Sequence, residues 1–121
     1  VDIPLVGQAI VSLAFGFSLS LRTNYEYELR IESTFRVDVP GSGGFRGVPD
    51  ASLSENTVVM RLEGRQVVRA NASHAGDLRI EFADGASLVV PFDPDFEAWT
   101  VAAPDGFKAI SVAGGGLTVW D

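Results

Sequence analysis

The sequence predicts a mostly β domain: an α+β chain with one short helix, two duplicated three-stranded antiparallel units and a C-terminal hairpin. Together these would form a sandwich or a partly open barrel. Three observations carry this expectation. First, apolar and polar residues alternate. From Tyr25 to Val39 the odd positions read Tyr, Tyr, Leu, Ile, Ser, Phe, Val, Val and the even ones Glu, Glu, Arg, Glu, Thr, Arg, Asp. Such period-two patterning means one buried face and one wet face. Second, turn signals recur at short intervals, with Asp84-Gly85 the strongest. Third, the chain repeats itself at an offset of 57. Leu5-Val6-Gly7 followed by Ile10-Val11 matches Leu62-Glu63-Gly64 followed by Val67-Val68. The same offset sets Leu21-Arg22 on Leu78-Arg79, Tyr25 on Phe82, Ile31 on Leu88 and Phe35 on Phe92.

The 121 residues suit a single domain, 1–121, and apolar and charged fractions of 46% and 21% are ordinary for a globular chain. The repeat units are 5–39 and 62–96. In the first, strands are expected over 8–14, 17–22 and 27–39, with Thr23-Asn24 as a turn and Ser33 marking a bend where it breaks the apolar row. The stretch Leu5–Leu21 carries no charge, but Gln8, Ser12, Gly16, Ser18 and Ser20 interrupt it. It is also shorter than the roughly 20 apolar residues of a membrane helix. Its alternation from Val11 to Leu21 reads as strand.

Between the units, 40–49 holds Pro40, Pro49 and four glycines and reads as a surface loop. Ser52 and Glu55 have capping-box spacing, and Leu53, Val58, Val59 and Leu62 follow a helical stripe, so a short helix is expected over 53–63. The β-branched Thr57-Val58-Val59 run makes a strand over 57–62 its rival. In the second unit, strands are expected over 65–73, 77–82 and 87–92, with a turn at Ser73–Gly76. Asp93-Pro94-Asp95 then turns the chain. Strands over 97–102, 107–112 and 117–120 follow, separated by Pro104-Asp105-Gly106 and Gly114-Gly115-Gly116.

Charge and composition exclude several functions. Nine basic residues against sixteen acidic ones give −7, which argues against nucleic acid as a partner. Zero cysteines exclude disulfides, thiolate metal sites and a cysteine nucleophile, and a single histidine excludes a His-rich metal site. Neither a cofactor nor a metal is expected. No basic segment precedes the apolar N-terminal stretch, so the cytoplasm is the expected compartment. Arginine outnumbers lysine eight to one, and alanine and glycine are plentiful, as in proteins from GC-rich bacterial genomes. The acids concentrate from Asp84 onward, whereas Arg61, Arg65, Arg69 and Arg79 make a mildly basic middle. That asymmetry suits a basic protein partner or a homodimer.

Individual constellations are weaker. Asp93-Pro94-Asp95-Phe96-Glu97 places three carboxylates within five residues, but without a twelve-residue calcium loop it reads as a solvated turn. No feature selects a pair of carboxylates for acid–base catalysis among sixteen acids. His74 in the Ser73–Gly76 turn has no nucleophile elbow to serve. The glycine triplet lacks the helix and lysine of a phosphate loop. Asn71-Ala72-Ser73 matches a glycosylation sequon without a secretory context. Trp99 suits a core or a docking surface, and Trp120 suits the docking of a last strand or an exposed partner contact.

Gly76-Asp77-Leu78, Phe82-Ala83-Asp84-Gly85, Leu88-Val89-Val90, Phe96-Glu97-Ala98-Trp99 and Gly114-Gly115-Gly116-Leu117 ending on Trp120 resemble a group of small actinobacterial proteins of uncharacterised function. The resemblance covers most of 62–120 and, more weakly, 5–39. Ala113 stands where that group has a proline before its glycines. The likeness implies an architecture and no mechanism. Small acidic proteins of this kind sometimes act as immunity partners of polymorphic toxins, an analogy only.

The expected function is therefore non-enzymatic: an immunity-like or accessory interaction module for a basic partner. Trp99, Glu97, Asp95 and Trp120 are the candidate binding residues. The alternative is a small-ligand binder with an apolar cavity between the units, lined by Phe15, Phe17, Tyr25 and Tyr27.

Overall fold

A computed structural model describes residues 1–49 and 57–120. Among these residues, eleven strands form two antiparallel sheets. In chain order they are β1 (Ile10–Phe15), β2 (Leu19–Thr23), β3 (Glu28–Ile31), β4 (Phe35–Val39) and β5 (Gly43–Gly47). After helix α1 (Thr57–Met60) come β6 (Val67–Ala72), β7 (Leu78–Phe82), β8 (Ser87–Val90), β9 (Trp99–Ala102), β10 (Lys108–Ser111) and β11 (Leu117–Trp120). The larger sheet has the order β1-β2-β3-β9-β10-β11 and the smaller β5-β4-β8-β7-β6.

Alternation places the core. Leu19, Leu21, Leu29, Ile31, Trp99, Val101 and Ala109 line the inner face of the larger sheet. Phe35, Val37, Val39, Leu78, Ile80, Phe82, Leu88 and Val90 line that of the smaller, and all are buried in one cluster.

The structure corrects the sequence reading at three places. The strand expected over 27–39 is two strands, and the break at Ser33 is more than a bend: β3 ends in one sheet and β4 begins in the other. The glycine-rich loop 40–49 contains β5, paired with β4 through Phe35↔Gly47 and Val37↔Phe45. Gly47 leaves room for Phe35: a Cβ there would lie 2.6 Å from the Phe35 ring. Among the described residues the helix ends at Met60, three residues before the expected end, and a turn continues it to Gly64, with Val59 and Leu62 buried. The Ser52–Glu55 capping box lies outside the described residues.

The two units do not keep to separate sheets. Each gives three strands to one sheet and then crosses to complete the other: β3 pairs with β9, and β8 with β4. The halves meet through reciprocal hydrogen bonds. Gly7 N donates to Val67 O (2.8 Å) and Gly64 N to Ile10 O (2.7 Å). Val67 N donates to Gln8 O (2.8 Å) and Ile10 N to Arg65 O (3.1 Å). Ala9 bridges Gln66, its own counterpart, so a local twofold passes between them. Both first strands carry a register shift at matching positions, Ile10/Ser12 and Val67/Arg69.

The offset of 57 holds only through the first strand. Pairings Leu19↔Ile31 and Leu78↔Val90 set the second and third strands at 59, and Phe35↔Gly47 answers to the end of the β9–β10 pair at 64. The second half is thus longer by two residues in its first turn and by five in the link before β9. It also adds β11.

One prediction arises from this correspondence. Glu26 has φ +65, whereas its counterpart is Gly85 (φ +94). A side chain in this region costs roughly 1–2 kcal/mol. Glu26→Gly is expected to raise stability by about 0.5–1 kcal/mol, read as a higher urea midpoint.

Candidate functional site

The additions peculiar to the second half come together at one end of the sandwich. They are the β6–β7 turn (73–77), the β8–β9 link (91–98) and the β10–β11 turn (112–116). Asp77 Oδ1 accepts from Phe92 N (2.9 Å). Gly114 N donates to Asp93 O (2.8 Å) and Gly116 N to Ala75 O (2.7 Å). The buried Gly76 carbonyl accepts from Trp99 Nε1 and from Ser111 Oγ, both at 2.8 Å. His74, the carboxylate run and the glycine triplet, remote in sequence, therefore share one hydrogen-bonded knob.

Asp93 organises the middle loop. Its Oδ1 accepts from Asp95 N (2.8 Å) and Phe96 N (3.2 Å), and its Oδ2 from Ser33 Oγ (2.5 Å). The Ser33 hydrogen bond chiefly, then the Asp95 N–H, holds the Asp93 carboxyl below its ordinary value. Ionised Asp93 stabilises the fold above its unfolded pKa, and this contribution is lost as pH falls through the lowered folded pKa. Ser33→Ala is expected to raise the Asp93 pKa toward the ordinary carboxylate value and to flatten the acid limb of stability against pH. A side-chain carboxyl NMR titration with acid-range urea melts measures both.

Fixed in this way, the loop presents Asp95, Phe96 and Glu97 to solvent, and Phe96 is 62% exposed. Phe92 and Val112, in the same knob, are exposed as well. A shallow trough of about 420 Å³ leads away from Glu97 over the outer face of the larger sheet, lined also by Glu32, Arg30, Glu28, Thr100 and Lys108. Arg22 and Arg30 both pair with Glu28, at 3.2 and 3.5 Å.

Of the four candidates, Asp95 and Glu97 stand on the knob. Trp120 is half-exposed but lies opposite Lys108, at the far end of the strands. Trp99 takes the first of its two readings, core rather than docking surface, and so leaves the binding candidates: it is fully buried, because alternation turns it inward and its indole N–H is taken by Gly76 O. Sequence reasoning missed Phe96. Its signal was the unmatched stretch that appears once the halves are aligned with gaps. The four aromatics assigned to a ligand cavity do not converge. Phe15 and Tyr27 pack against the core, Phe17 is fully exposed on the β1–β2 turn and Tyr25 is exposed. Of the four, only Tyr27 lines the open groove of about 380 Å³ beside Asp2, Pro4, Asp105 and Phe107.

Among the described residues no group of three or more His, Asp and Glu side chains is placed to hold a metal ion, and no helix is long and apolar enough to cross a membrane.

These features define a two-sheet antiparallel β protein with a three-loop acidic–aromatic knob. The chain belongs to a family of unknown function, DUF6188, whose match spans residues 1–121. No curated protein and no solved structure matches it.

Proposed function

We propose that this chain is a non-enzymatic interaction module, immunity-like or accessory in role, that docks a basic protein in the bacterial cytoplasm. The observation that carries the reading is Phe96: a large apolar ring exposed between two carboxylates, on a loop tied down by Asp93, Ser33 and Gly114. An ordered loop loses little conformational freedom on binding, so an aromatic anchor there converts contact into affinity. Asp95 and Glu97 supply long-range attraction for a cationic surface and make binding depend on salt.

The test is affinity capture at low salt followed by a salt gradient. Wild type is expected to retain one basic protein that elutes sharply. Asp95→Asn with Glu97→Gln is expected to weaken retention by about tenfold or more. Equal retention by both forms, or no specific retention, contradicts the proposal.

A further inference from the structure

The outer face of the smaller sheet is the electrostatic counterpart of the knob. Register sets Arg46, Arg36, Val89, Arg79 and Asn71 in one row across β5, β4, β8, β7 and β6. The neighbouring row is Gly44, Asp38, Ser87, Glu81 and Arg69. Four arginines and two acids leave these two rows positive in a chain of net −7. Arg36 and Arg46 stand directly opposite one another, a like-charge arrangement that disfavours the strand pair. Arg36 leans onto Asp38 (3.0 Å), Arg69 meets Glu81 (3.6 Å), and Arg79 makes no ion pair among the described residues.

We infer that this face receives the Asp95-Phe96-Glu97 loop of a second copy of the chain. The match is one of chemistry and spacing. Val89 is flanked by Arg36 and Arg79, as Phe96 is flanked by Asp95 and Glu97. Arg36 and Arg79 sit two strands apart, about 10 Å. Asp95 and Glu97 are two residues apart in the turn bound to Asp93 Oδ1, at most about 7 Å, and their side chains cover the remainder. Phe96 would lie on Val89 between two guanidinium groups, where cation–π attraction adds to the ion pairs. The knob projects from the end of the sandwich and the arginine row is on a broad side, so the contact is head-to-tail.

This inference rests on the reading of Asp95–Glu97 as a docking loop for cationic surfaces, and adds the arginine row of a second copy as one such surface beside the basic partner. Sedimentation velocity over a concentration series tests it. Wild type is expected to associate at about 50 mM salt, with affinity falling about tenfold or more by about 500 mM. Arg79→Glu, with an intact loop, and Asp95→Lys/Glu97→Lys, with an intact face, are each expected to be monomeric. Mixed, they should form a 1:1 dimer that grows no further, because only one complementary pair of surfaces remains. Circular dichroism melts verify that both variants fold.

Three results overturn the inference: a wild type that stays monomeric at low salt, association that survives in both variants, or a mixture that remains monomeric. A hexa-arginine peptide titrated in parallel separates the two claims. If wild type binds it, the loop variant does not, and no self-association occurs, the docking loop stands and the second copy is excluded. If the peptide does not bind either, both readings fall.

Discussion

Trp99→Ala is expected to cost about 3–5 kcal/mol of stability, the largest effect of any single change considered. The indole is fully buried on the inner face of β9. Its removal leaves a cavity and withdraws one of two donors from the Gly76 carbonyl. Domains of this size have only about 5–15 kcal/mol in total, so the variant should unfold at a much lower urea concentration with an unchanged slope. Trp99→Phe should be milder, because the matching position of the first half, Phe35, already carries that ring in the core and Ser111 still donates to Gly76 O. A variant that keeps its stability but loses partner binding would return Trp99 to the surface role that its sequence context allowed.

Gly76→Ala is the second large effect, expected at about 2–5 kcal/mol from backbone strain and overpacking together. Gly76 has φ +100, and an added Cβ would lie 2.5 Å from Gly116 O and 2.8 Å from Ser111 Oγ. Neither neighbour can yield freely: Gly116 N is bonded to Ala75 O, and Ser111 Oγ to the Gly76 carbonyl itself. The substitution forces apart the β6–β7 and β10–β11 turns. Amide hydrogen exchange should then quicken through 91–98 and 112–116, and the urea midpoint should fall. Gly64→Ala makes a useful comparison, since its φ is +85 but no atom lies within 4 Å of the added Cβ. It should show the backbone cost without the clash.

Much of the fold was legible in the sequence. Alternation located nearly all the strands, and Asp84-Gly85 marked the β7–β8 hairpin. The exchange of strands between sheets was not legible, because the pairing of β3 with β9 is a contact between residues some seventy positions apart with no local signature. Likewise β5 was hidden by Gly43, Gly44 and Gly47, and the small size of Gly47 answers a packing need set by Phe35. The carboxylates of the site were visible as a cluster, but their neighbours were not. His74 and Gly114–Gly116 join Asp93–Glu97 only through hydrogen bonds that the tertiary fold creates. Trp99 was ambiguous for a similar reason: a large aromatic beside an acidic run suits a core or an interface, and only the sheet's orientation decides.

Docking, as proposed, turns on Phe96 as the anchor. Incorporating the photo-crosslinking residue p-benzoylphenylalanine at position 96 in cells tests it directly. Val6 serves as the control, being equally exposed at 62% and located by Gly7 at the other end of β6. A discrete crosslinked product is expected from position 96, absent from position 6, and lost when Asp95 and Glu97 are neutralised. The same products from both positions, or none from position 96, would contradict it.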